Sequence, residues 1–74
     1  MTDENQQRRF AILIDADSAS HRIAAGLFKE IAKLGEANVR RIYGDFSNPR
    51  MKSWVEILPK YAIDPYQPFP YVSG

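Results

Sequence analysis

The hydrophobic positions of this chain fall into blocks with different periods, and each block predicts one element. Phe10-Ala11-Ile12-Leu13-Ile14 is a continuous apolar run, which in an α/β protein reads as a strand, β1, buried on both faces. Further on, Ile23, Ala24, Leu27, Phe28, Ile31 and Leu34 recur on one helical face. Ser20 is placed to cap that helix, α1, and Gly35 to end it in the left-handed conformation. Arg22, Lys29, Glu30 and Lys33 fall on its wet side. Residues 37–43 are β-prone at Val39, Ile42 and Tyr43 but carry Asn38, Arg40 and Arg41, which predicts a less buried strand, β2, ended by Gly44. Asn48-Pro49 is a helix entry, Met51, Trp54, Val55 and Leu58 mark the apolar stripe of α2, and Pro59 stops it. Residues 66–72 read as an extended β3 that Pro68 and Pro70 confine to a sheet edge, because proline lacks the donor a central strand needs.

The order β1-α1-β2-α2-β3 predicts an α/β fold with parallel strands joined by right-handed crossovers. In the spatial order 3-2-1 both helices cover the same face. That arrangement leaves β1 with a bare far face and a bare outer edge, an odd place for a fully apolar strand. The expectation is therefore that further strands and helices follow Gly74. On this reading residues 1–8 are a polar tail, and 9–74 are the first half of a larger domain.

Composition narrows the function classes. A chain of 74 residues is one domain at most. With no cysteine it has no disulfide framework, thiolate metal site or cysteine nucleophile, and His21 is its single histidine. No secretory signal is expected, because the apolar run after the polar amino terminus stops at Asp15. The longest uncharged run, Pro65 to Gly74, is ten residues with three prolines, so no membrane span is expected and the location is read as cytoplasmic. Net charge is +1, yet residues 18–60 hold eight basic and four acidic side chains, which permits an anionic partner.

Candidate chemistry gathers where parallel strands end together, the rim at which open α/β sheets bind ligands. Asp15 and Asp17 follow β1, Gly44 and Asp45 follow β2, and Ser73 and Gly74 follow β3. Carboxylates are the hard oxygen ligands preferred by Mg²⁺ or Mn²⁺, ions that hold phosphate oxygens and activate water. Asp15 leads because it extends an apolar strand, where a buried carboxylate is costly without a cation. Asp17 and Asp45 have competing roles as turn or cap residues. Arg50 and Lys52, in the first turn of α2, oppose the helix dipole and are candidates for phosphate contact. His21 reads as surface or structural, Trp54 as core, and Tyr66, Phe69 and Tyr71 as either base-stacking or packing residues.

The same residues carry a family resemblance. Phe-Ala-Ile-Leu-Ile-Asp-Ala-Asp over 10–17, Ser-Ala-Ser-His-Arg-Ile-Ala over 18–24 and Val-Arg-Arg-Ile-Tyr-Gly-Asp-Phe over 39–46, with Pro49-Arg50 and Trp54, resemble the NYN (LabA-like) domain, a branch of the PIN-like ribonuclease fold. The resemblance implies the N-terminal half of a three-layer domain and metal-dependent cleavage of RNA, with Mg²⁺ or Mn²⁺ as cofactor. It implies Asp15 as the catalytic aspartate and metal ligand, with Asp17 and Asp45 as water-mediated ligands. Ser18 would stand in the supporting position where many members have asparagine, and Arg50 and Lys52 would contact phosphates. The remaining acidic ligands are expected after Gly74, so this chain alone is expected to be inactive, completed by a homo-oligomer or an additional domain. Two alternatives stand beside this one: a non-catalytic RNA-binding or protein-interaction module on the same sheet, and a haloacid-dehalogenase-like phosphatase using Asp15-x-Asp17.

Overall fold

The computed structural model describes residues 8–67. Within them β1 runs Arg8–Asp15, α1 Ile23–Leu34, β2 Gly35–Tyr43, α2 Lys52–Ile57 and β3 Asp64–Tyr66, with a 3₁₀ turn at Pro49–Met51 leading into α2. The three strands form one parallel sheet in the order β1-β2-β3, as the crossover argument expects. Among the described residues β1 has β2 as its single neighbour, so its other edge is open. Residues 68–72 of the expected third strand, and the Ser73 and Gly74 assigned to its end, lie outside the described residues. So does the amino-terminal tail, apart from Arg8, which already belongs to β1.

One sheet face is covered and the other is not. Ile12 and Ile14 from the first strand, Ala16 just after it and Ile42 from the second strand pack with Ala24, Met51, Trp54, Leu58 and Ile63 into a single core. Ile42 is completely buried, worth about 1.5–3 kcal/mol for a side chain of that size. The intervening residues Ala11, Leu13 and Asp15 are exposed, Leu13 at 63%. Among the described residues β1 is thus buried on one face, its far face and outer edge bare as the 3-2-1 order leaves them; the apolar run by itself does not report whether a second layer covers it.

Local boundaries moved for identifiable reasons. The Ser20 hydroxyl does accept a backbone N–H, that of Arg22 at 3.1 Å, but a turn through His21 delays α1 to Ile23. Gly35 is extended, with φ 168° and ψ −138°, rather than left-handed, because β2 starts on it directly. Glycine is required there for a different reason: a Cβ would collide with the Arg8 carbonyl oxygen of the paired strand. Asn48 accepts the Arg50 N–H at 2.9 Å and so opens the 3₁₀ turn at Pro49, and α2 itself begins three residues later. Along α1, Ala24 is buried, Leu27, Phe28 and Ile31 are half-buried, and Ile23 and Leu34 are exposed. Ile23, Leu27 and Ile31 line an apolar groove of about 440 Å³ beside the free edge of β1.

Arg40 is a tie rather than a free cation. On the covered face its guanidinium donates to the carbonyls of Ala37 (3.0 Å) and Tyr61 (2.7 Å) and lies 5.2 Å from the centre of the Phe28 ring, which stacks on Tyr61. It thereby joins β2, α1 and the turn after α2.

Candidate functional site

Parallel pairing fixes which residues meet at the rim. Asp15 pairs in register with Tyr43, and Tyr43 with Tyr66, so the three strand ends form one row across the sheet. The row continues past the strands, since Ala16 N–H donates to Tyr43 O (2.9 Å) and Gly44 N–H to Tyr66 O (3.2 Å). Both β1 and β2 therefore leave the sheet in fixed directions, carrying the loops with Asp17 and Asp45.

Asp15 organises the first of these loops. One carboxylate oxygen accepts the Asp17 N–H at 3.0 Å, the other accepts the Ser18 hydroxyl at 3.2 Å, and its backbone carbonyl accepts the N–H groups of Ser18 and Ala19. The carboxylate is oriented from behind, and each oxygen keeps lone-pair capacity toward solvent. Asp15 is exposed, which corrects the burial argument made for it from sequence: no desolvation cost demands a cation there. What distinguishes the group is its orientation and its place at the end of the row.

Asp17 is exposed and lies 3.9 Å from the Arg50 guanidinium, an ion pair whose partners are both largely in water and which adds little stability. These two, with Ser20, His21, Met51 and Trp54, line a cavity of about 160 Å³ on the rim. Trp54 is core, as its position on the stripe of α2 implies, and its indole N–H donates to Ala19 O at 3.0 Å, holding the Asp15 loop to the helix. Lys52 is exposed at the start of α2.

Asp45 works as a turn organiser. A single oxygen, Oδ1, accepts the Ser47 N–H (3.1 Å), the Ser47 hydroxyl (2.5 Å) and the Gln67 amide (3.2 Å). Gln67 returns a bond by accepting the Phe46 N–H. Sequence reading missed Gln67, which no local pattern links to a residue 22 positions away. Among the described residues, no three His, Cys, Asp or Glu side chains come together as a metal site.

A second feature lies on the uncovered face, where sequence reading singled out Tyr66 but not its neighbours Tyr43 and Arg41. The rings of Tyr43 and Tyr66 stack with centroids 5.5 Å apart and planes 30° apart, and the Arg41 guanidinium lies 5.1 Å from the Tyr66 centroid. A side-chain hydrogen bond with Tyr43 is the main reason the Arg41 guanidinium is held above its ordinary pKa, with the nearby Tyr66 and Asp64 adding to it. The alternation of Val39, Arg41 and Tyr43 was the available signal.

Comparison with known proteins gives one match. The NYN domain family profile matches residues 9–74. No curated protein and no solved structure matches significantly. No described helix is long and apolar enough to cross a membrane.

Proposed function

The chain belongs to the NYN domain family, and from that premise we propose that it contributes the first catalytic carboxylate of a metal-dependent ribonuclease of the PIN-like fold. The supporting observation is Asp15: a carboxylate at the carboxyl end of a parallel strand, oriented by the Asp17 N–H and the Ser18 hydroxyl, with lone pairs left toward solvent. Its hard, exposed oxygens suit Mg²⁺ or Mn²⁺ as one ligand of a larger shell. A divalent ion held there would polarise a phosphodiester and lower the pKa of a bound water.

The chain's own residues have narrower tasks. Ser18 fixes the rotation of the Asp15 carboxylate, while Asp17, the candidate for a water-mediated ligand, engages Arg50. Arg50 and Lys52 offer positive charge at the entry to α2 for the RNA backbone, and Asp45 shapes the adjoining loop. Among residues 8–67 the carboxylates of Asp15, Asp17 and Asp45 do not gather as a group of three. A second reading, a non-catalytic RNA-binding module, draws on the exposed Arg50 and Lys52 at the entry to α2 and needs no metal.

The test is cleavage of a labelled single-stranded RNA by the complete protein that carries this domain, with Mg²⁺ or with EDTA. Asp15→Asn should lower the rate on the order of 100-fold or more, the scale of removing a transition-state charge stabiliser. Ser18→Ala should lower metal affinity or rate by roughly tenfold, as for groups that orient a ligand. Cleavage that ignores both EDTA and Asp15→Asn would overturn the assignment; RNA binding without cleavage would establish the second reading.

A further inference from the structure

Two of the three rim carboxylates are occupied by their own loops: Asp15 accepts from Asp17 and Ser18, and Asp45 from Ser47 and Gln67. Asp17 and Arg50 differ. Among the described residues they enter hydrogen bonds through their backbone N–H groups, and their side chains lie 3.9 Å apart, beyond a direct bond. An acceptor and a donor with unused capacity therefore line the same cavity of about 160 Å³. Ala16, Ala19 and Met51 give it apolar walls and His21, half-buried, stands at its side. This lining comes from the β1–α1 loop and the entry to α2, away from the bare face of the sheet. A site for phosphate alone gains nothing from a carboxylate beside its cation, since the two anions repel. Carboxylate beside guanidinium suits a planar group that carries donors and acceptors on its edges.

We propose that this cavity is a base pocket in which Asp17 and Arg50 select guanine next to the bond to be cut. The inference deepens the ribonuclease reading and rests on it for cleavage beside Asp15, but the pocket itself stands on separate observations. A carboxylate only accepts, so both its oxygens are used only by a base with two adjacent donors, and guanine alone has them in N1–H and the 2-amino group. Its O6 and N7 are acceptors that a guanidinium fork can reach. Adenine and cytosine each offer the carboxylate one amino group, and uracil offers a single N–H flanked by carbonyls that repel it. The apolar walls meet the faces of the base, and the His21 ring is of a kind on which bases stack. Asp17 N–H donates to the Asp15 carboxylate at 3.0 Å, so the pocket wall and the candidate metal ligand belong to one loop. A guanosine seated here carries its phosphodiester toward Asp15. On this assignment Asp17 and Arg50 serve the base, and Lys52 is left for the backbone.

The test uses the complete protein in EDTA, so that binding is read apart from cleavage, with fluorescent oligouridylates of about ten nucleotides that carry one central guanosine, adenosine or inosine. The guanosine oligonucleotide should bind about tenfold more tightly than the adenosine one. Inosine, which lacks the 2-amino group, should lose much of that advantage, and this comparison alters the RNA and leaves the protein untouched. Asp17→Asn and Arg50→Lys, both at exposed positions, should bring guanosine and adenosine to within about twofold of each other. Equal binding of all three oligonucleotides by the parent protein would overturn the pocket. So would an Arg50→Lys variant that keeps the full guanosine preference, since a phosphate contact needs only the charge. If the preference is absent while Asp15→Asn still abolishes cleavage, the ribonuclease reading survives; if the preference holds and no cleavage occurs, the pocket survives without it.

Discussion

The two faces of one sheet, built from alternate residues of the same three strands, serve opposite ends. On the helix side, Ile12, Ile14 and Ile42 meet Ala24, Trp54 and Leu58, and no buried side-chain polar atom on the described residues lacks a hydrogen-bond partner. On the other side, Leu13, Arg41, Tyr43 and Tyr66 face water, with the rings and the guanidinium pairing among themselves. The difference lies in which face the crossover helices land on, since the strand alternation alone treats both alike. The buried core therefore lies on one side, while polar and aromatic side chains stand in water on the other, with Asp15 at the end of the open row.

This contrast can be broken by experiment. The largest effect should come from Trp54→Ala, which removes the indole from the covered face and its hydrogen bond to Ala19. A loss of about 3–5 kcal/mol in chemical denaturation is expected, together with a loosened Asp15 loop. Next is Gly35→Ala, where the new Cβ meets the Arg8 carbonyl. Because backbone must move at the start of the β1–β2 pairing, about 1–3 kcal/mol should be lost. Smallest should be Leu13→Ser on the open face, within about 0.5 kcal/mol in the same denaturation experiment. A cost for Leu13→Ser rivalling that of Trp54→Ala would mean that the open face is buried by another layer, and the contrast would fail.

Much of the architecture was legible because it depends on local pattern. The periods of the apolar blocks, Pro49 and Pro59 around α2 and the Asn48 cap are written in neighbouring residues, and the parallel order follows from alternating strands and helices. The core position of Trp54 followed from its stripe. Asp15 was legible as a strand-end carboxylate, but its exposure was not, because the same apolar run fits one buried face or two. Gly35 shows a similar limit: sequence marked a residue without a side chain, while the reason for it is the carbonyl of a strand 27 positions earlier.

What the sequence determined by itself was the set of elements, their order and the aspartate at the end of the first strand, since periodicity, caps and breakers act over a few residues. Tertiary structure alone decided that Asp15, Tyr43 and Tyr66 share a row, that Gln67 holds Asp45, and that Arg40 is spent on the Tyr61 carbonyl while Arg41 stays on the open face. The physical reason is register: a shift of one residue exchanges the two faces of a strand, and only pairing between distant segments fixes it.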